Sequence, residues 1–240
     1  MVKMFILNKL LRLGSGFAPL CFLVLFSVSA CAQPAEHVRN EAFLKEEKNI
    51  ERSTVLLNND DKRIPLKGLQ DLTIASVNIG SAYASEFDSI LTKYAQIKQF
   101  ESSVYNHDML NFNELNDDLK FYNTIIIQVT DQSLNDPRTI PLLLDLQLNK
   151  QIVVCLSGNV QSLKLLNFLK SPLIWSENKS AGYANFAAQL IFGGVRATAK
   201  LKQDVSPKYL SGLGFESSVS RLKYTVPEEV GINSAALKKI

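Results

Sequence analysis

Cysteine, histidine and tryptophan are scarce in this chain of 240 residues, at three, two and one. That is too few sulfur and imidazole ligands for a zinc cluster or a disulfide framework. A charge field of one sign is missing too. The formal charge of +3 is accounted for by Lys3, Lys9 and Arg12, and the rest of the chain is neutral. Nothing in the charge pattern therefore points to nucleic acid or an anionic membrane surface. The G-x-S-x-G, H-E-x-x-H, Walker and dinucleotide-binding patterns are all absent. What is present is a globular composition, 46% hydrophobic and 20% charged, which excludes a disordered or collagen-like chain.

The N-terminus reads as an export signal. Behind the three cations, Phe17 to Val28 is apolar, broken only by Pro19 and Ser27. It is too short to cross ~30 Å of hydrocarbon but suits a signal-peptide core. Val28-Ser29-Ala30-Cys31 resembles a bacterial lipobox, which makes Cys31 the candidate lipidation site and residues 1–30 the signal. Cleavage after Ala32 by an ordinary signal peptidase is the alternative. Either route predicts an exported protein, in the periplasm or held at the outer membrane, that meets the membrane only through its lipid. Cys155 lies within Ile152-Val153-Val154-Cys155-Leu156 and reads as an inert thiol in a buried strand.

Residues 31–52 read as a polar tether running into a short helix over Glu41 to Ile50. From Ser53 onward, short β-rich runs alternate with helical patterns. Thr54 to Leu57, Leu72 to Val77, Thr124 to Val129, Ile152 to Leu156 and Pro172 to Trp175 are the strand candidates. Helical spacing follows at Phe87-Ile90-Leu91-Tyr94, Ile140 to Leu148, Val160 to Leu169 and Tyr183 to Ile191, the last stopped by Gly193-Gly194. Four strand-then-helix units predict an α/β fold: a three-layer sandwich with a largely parallel sheet, preceded by a signal peptide and spanning 53–212. Ligands of such folds gather at the carboxyl ends of the strands. Leu222, Tyr224 and Val226 alternate as in a strand, and an amphipathic helix opens at the last residues. On this reading 33–40 and 228–240 are poorly ordered ends.

Few residues carry a chemical signature. Ser176 with Lys179, and Ser220 with Lys223, match S-x-x-K, but a serine nucleophile needs a helix start and neither serine has one. His107-Asp108 could form an oriented acid in a loop. Acids are plentiful (Glu114, Asp117, Asp118, Asp131, Asp136), yet no spacing makes two of them meet across a sugar. Glu177 could flank a sugar stacked on Trp175, although a tryptophan there also suits the core. The weak substrate-binding candidates are therefore Trp175, Glu177 and His107. No catalytic residue, metal or cofactor is implied.

The order of these pieces resembles one family. Arg52 to Asp60 followed by Ile64-Pro65-Leu66 is similar to the segment that opens the C-terminal α/β sandwich of glycoside hydrolase family 3. Trp175 to Asn178, Ala187 to Val195 and Ala199-Lys200-Leu201 resemble its last strand, helix and "GKLP" exit. Ala199 stands where glycine is usual and Lys202 where proline is usual. Tyr224 to Asn233, with Leu237 and Ile240, resembles the start of a β-lactamase-like serine hydrolase domain, so 213–240 reads as a linker and the truncated beginning of that domain. The resemblance implies an envelope glycan substrate and a β-N-acetylhexosaminidase context. It also implies two partner domains, a catalytic (β/α)₈ barrel and the serine hydrolase. The barrel needs roughly 200 or more residues, and its Lys-His-Phe-Pro-Gly-type loop is not in the sequence. On this reading the chain is a non-catalytic accessory domain; a stand-alone envelope lipoprotein that binds glycan or a partner protein is the alternative.

Overall fold

The computed structural model describes residues 36–105, 107 and 110–237. The signal-peptide and lipidation readings, Cys31 included, fall outside the described residues, as does Asp108. Helix α1 (Glu36–Ser53) leads into β1 (Val55–Leu57). Then come β2 (Ile74–Ile79), α2 (Ala84–Leu91), β3 (Ile97–Glu101), α3 (Asn113–Leu119) and β4 (Thr124–Thr130). The chain continues through α4 (Thr139–Asn149), β5 (Gln151–Ser157), β6 (Leu173–Ser176), α5 (Ala181–Phe192) and α6 (Ser234–Leu237). The strands form one sheet in the order β1-β6-β5-β4-β2-β3. β1 runs antiparallel to β6 at one edge and the other pairings are parallel.

β4 and β5 are runs of apolar, mostly β-branched residues because both their faces are covered. Ile126, Val153 and Ile174 point to one side, against Phe87, Ile90 and Leu91 of α2 and Phe186, Ala187 and Leu190 of α5. Ile125, Ile127 and Val154 point to the other, against Leu115 and Leu119 of α3 and Leu142, Leu143 and Leu146 of α4. This is a mixed α/β sandwich of three layers. The α5 helix ends at Gly193, whose φ of 79° and N–H bonds to Gln189 and Leu190 carbonyls make a left-handed stop.

Several elements differ from the sequence expectation. The first helix runs from Glu36, so residues 36–40 are helical, because a distant segment holds them. Glu228 accepts from Asn40 Nδ2 at 2.6 Å and lies 3.4 Å from His37 Nδ1. Glu228 itself belongs to a 3₁₀ turn (Pro227–Val230) followed by α6, so this stretch is fastened rather than loose. Residues 222–226 form no strand; the Gln189 side chain pairs with the Tyr224 backbone at 2.7 and 3.0 Å instead. Val160–Leu166 is 3₁₀ rather than α-helical. β3 and α3 carry too little apolar periodicity to stand out, β3 being a half-exposed edge strand.

One buried acid sits between α2 and the sheet. Asp88 is 7% exposed and accepts from Ser76 Oγ at 2.6 Å. Burial raises its carboxyl above the ordinary value, the serine bond offsets part of this, and Glu101 adds to it. The folded state therefore binds the proton more tightly than the unfolded chain. Its stability falls as pH rises from the ordinary carboxyl range of the unfolded chain through the raised range of the folded one. Asp88→Asn keeps an acceptor for Ser76 and removes the charge. It is expected to gain on the order of 1 kcal/mol at pH 7, shrinking toward zero near pH 4. Urea denaturation at both pH values checks this; an equal gain at both would refute the titration account.

Candidate functional site

The chain reverses direction across the sheet at β2. β3 lies on one side of β2 and β4 on the other, and the covering helices change face with it, α2 on one side and α3 and α4 on the other. Such a reversal opens a crevice at the carboxyl ends of the strands, and the polar residues concentrate there. Asn78 braces the loop after β2, donating to Ser81 O at 3.0 Å and Glu101 Oε2 at 2.7 Å and accepting from Ser81 N at 2.9 Å. After β4, Thr130 and Ser133 exchange backbone-to-hydroxyl bonds at 2.8 and 3.1 Å.

Asp131 joins three strand ends. It follows β4, its Oδ1 lies 2.5 Å from Lys179 Nζ beyond β6, and its Oδ2 accepts from Asn159 N at 3.1 Å beyond β5. Burial alone would raise this carboxyl, but Lys179 and the Asn159 N–H outweigh it and hold it below the usual range. Gly158 makes the close approach possible, because a Cβ there would stand 2.4 Å from Asp131 Cγ. Two hollows flank this centre. A cleft of about 430 Å³ is lined by Asn78, Gly80, Ser81, Glu101, Ser133 and Asp136, among others. A small pocket of about 10 Å³ is lined by Ser81, Phe87, Gln128, Ser157, Lys179 and Tyr183, with others.

The residues singled out from the sequence do not converge here. Trp175 is 7% exposed within the core, its indole N–H donating to Gly158 O at 3.1 Å. Glu177 next to it is exposed. His107 is exposed in a loop, 3.6 Å from Glu114. None of the three lines either hollow. The S-x-x-K pairs do not form: Lys179 faces Asp131, and Lys223 lies 2.7 Å from both Glu47 and Glu229. Ser176 accepts from Asn178 instead. Asp136 is clamped by Arg138 at 2.7 Å. Burial pushes the Cys155 thiol far above its ordinary range, so it is no nucleophile. Asp131 was visible in the sequence only as one acid among many, and Lys179 only as part of a misleading motif. Gln128 had no signal at all beyond being a polar residue inside an apolar strand. Asp131 and Asp136 are held by Lys179 and Arg138, and the two hollows also present hydroxyls, the Gln128 amide and the Glu101 carboxylate.

No protein-family model and no curated protein matches the sequence. Among solved structures, the chain resembles a fungal multi-domain glycoside hydrolase family 3 β-N-acetylglucosaminidase that carries a GCN5-related glucosamine N-acetyltransferase region. The identity is 16%, the TM-score 0.55, and the match covers 65% of this chain and 18% of that one. A glycoside hydrolase family 3 β-N-acetylglucosaminidase from Paenibacillus sp. strain FPU-7 matches with 11% identity and a TM-score of 0.49, over 76% of this chain and 34% of that one. The chain thus spans under a fifth of the first neighbour and about a third of the second. At 16% identity the first likeness is one of fold alone.

Proposed function

We propose that this chain is the accessory C-terminal-type sandwich domain of an exported family 3 glycoside hydrolase, related to the β-N-acetylglucosaminidases and serving hydrolysis of envelope glycans. The observation that supports it is the fold likeness to part of such an enzyme, with a TM-score of 0.55 over 65% of this chain. The motif order from Arg52 to Leu201, which resembles that of the family's sandwich, is in keeping with it. On this reading the catalytic barrel is a partner, and the stretch from 213 leads into a serine hydrolase domain. Export and attachment through Cys31 would place the assembly in the periplasm or at the outer membrane. Asp131 and Asp136 are held by Lys179 and Arg138, and the buried Cys155 thiol is pushed far above its ordinary range, which supports an accessory role. A stand-alone glycan-binding lipoprotein is the second reading, favoured by the hydroxyl-rich cleft beside β2.

The test is to assay the purified chain on a chromogenic β-N-acetylglucosaminide, alone and with a separately produced family 3 barrel. No turnover alone, and stabilisation or activation of the barrel on mixing, is the expected result. Robust turnover by the chain alone, lost on substituting a residue between Ser53 and Leu201, would overturn the accessory-domain reading.

A further inference from the structure

Gln128 carries a donor that the fold leaves unused. It stands near the end of β4, is 4% exposed, and its Nε2 has no hydrogen-bond partner among the described residues. A buried amide donor of this kind is costly unless something accepts from it. It lines the small pocket of about 10 Å³, which is room for one occupant of about the size of a water molecule.

Two helices open onto the same pocket. Ser81 and Tyr83 lead into α2, with Phe87 in its first turn, while Ser180 caps α5, with Tyr183 and Ala184 in its first turn. A helix N-terminus is equivalent to roughly half a positive charge, so two of them together match one monovalent anion. The hydroxyls are set to donate. The Ser180 oxygen accepts from Tyr183 N at 3.2 Å and the Ser81 oxygen from Tyr83 N at 3.2 Å, which leaves the proton of each to give. Ser157 adds a third hydroxyl and Lys179 an ammonium group. The Tyr183 hydroxyl is spent elsewhere, lying 3.0 Å from both the Leu156 and Ile174 carbonyls.

Among the described residues, no aspartate or glutamate lines this pocket. Asp131, 2.5 Å from Lys179, lies outside the lining and cancels the lysine charge. The helix ends and the neutral donors therefore have to hold the occupant. Phosphate, sulfate and carboxylates are too large for the volume. A water molecule fits, but it brings two protons of its own into a ring of donors. A chloride ion is little larger than water and accepts from every donor at once. Phe87, Val129 and Cys155 close the rest of the wall and keep bulk water from competing.

We infer that the pocket between the N-terminal turns of α2 and α5 binds one halide ion of about the size of chloride, held by Gln128 Nε2 and the hydroxyls of Ser81, Ser157 and Ser180. The ion ties the two helix starts to the ends of β4 and β5, and so stabilises the folded sandwich. The site goes beyond the accessory-domain reading and does not depend on it.

The experiment is urea unfolding of the chain at constant ionic strength, with gluconate, which is too large to enter, replaced stepwise by chloride. Chloride that binds only the folded state is expected to raise the unfolding midpoint, with the logarithm of its concentration once the site fills. Gln128→Met keeps the length of the side chain and removes the donor. It is expected to shift the chloride response to concentrations on the order of tenfold higher. Crystals of the unsubstituted chain grown in bromide are expected to show an anomalous peak beside Gln128 Nε2, which decides the matter whether or not the variant folds. A midpoint indifferent to the exchange overturns the inference, as does a response that Gln128→Met leaves at the same chloride concentration. So does a bound water only, seen as density at the pocket without anomalous signal. None of these results touches the barrel-mixing test, so the two readings fail separately.

Discussion

Gly158→Ala is expected to destabilise the protein by about 3 kcal/mol, combining backbone strain of roughly 1–3 kcal/mol with a side-chain clash. Gly158 has φ of 133°, a conformation that a β-carbon disfavours, and its added Cβ would stand 2.4 Å from Asp131 Cγ. The backbone cannot step aside, because Gly158 N donates to Ser176 O at 2.9 Å and Gly158 O accepts from the buried Trp175 indole at 3.1 Å. The carboxylate has to move instead, giving up Lys179 and the Asn159 N–H. A partly exposed ion pair contributes little by itself, so most of the loss should come from the collision. A double-mutant cycle separates the two. In an Asp131→Ala background the same glycine substitution should cost only about 1–2 kcal/mol, since the strain remains and the clash is gone. Equal costs in both backgrounds would show that Asp131 is not the obstacle. For a domain of this size, the single substitution should lower Tm by roughly 6–12 °C.

How far the sequence foretells this architecture depends on where each element finds its partners. β4, β5, α4 and α5 are legible because each carries a local apolar pattern, an unbroken run in the two strands and helical spacing in α4 and α5. Ile125 to Val129 is apolar at nearly every position, and that alone requires cover on both faces. β1 is legible as a strand but not as the antiparallel one, since its direction follows from pairing with β6 more than a hundred residues later. The Asp131 centre is illegible for the same reason. Its three contributors sit after three different strands, at 131, 159 and 179, and no local spacing links them. Trp175 illustrates the reverse error. An aromatic beside an acid suggests a sugar platform, but the pairing of β6 with β5 turns the ring into the core. Residues 36–40 and 228–237 are misjudged because neither stretch carries an apolar stripe with a neighbouring element in the sequence to receive it. What orders them is a set of side-chain clasps, Glu228 on α1 and Lys223 between Glu47 and Glu229, which periodicity does not report.

The stretch after α5 holds the sandwich together without any regular structure, and Tyr209→Ala is expected to show it, at a cost of about 3–5 kcal/mol. An end of the fold near Leu201 would place Tyr209 in a solvent-exposed linker, with almost no loss on truncation. Instead Leu201, Val205 and Tyr209 join the core on the α3 and α4 side of the sheet, and Tyr209 is fully buried. A tight turn presents it: Val205 N donates to Tyr209 O at 2.9 Å and Tyr209 N to Ser206 O at 3.1 Å. The hydroxyl donates to Leu166 O at 3.0 Å and accepts from Asn58 Nδ2 at 3.3 Å, tying the coil to the end of the 3₁₀ segment and to the turn after β1. Removing the ring leaves a cavity and strands the Leu166 carbonyl. Tyr209→Phe keeps the volume and loses only the hydroxyl, for about 1 kcal/mol. Urea unfolding of the two variants should therefore differ by at least about 2 kcal/mol at an unchanged m-value. A Tyr209→Ala loss below about 1 kcal/mol would show that this segment adds nothing to the sandwich's stability.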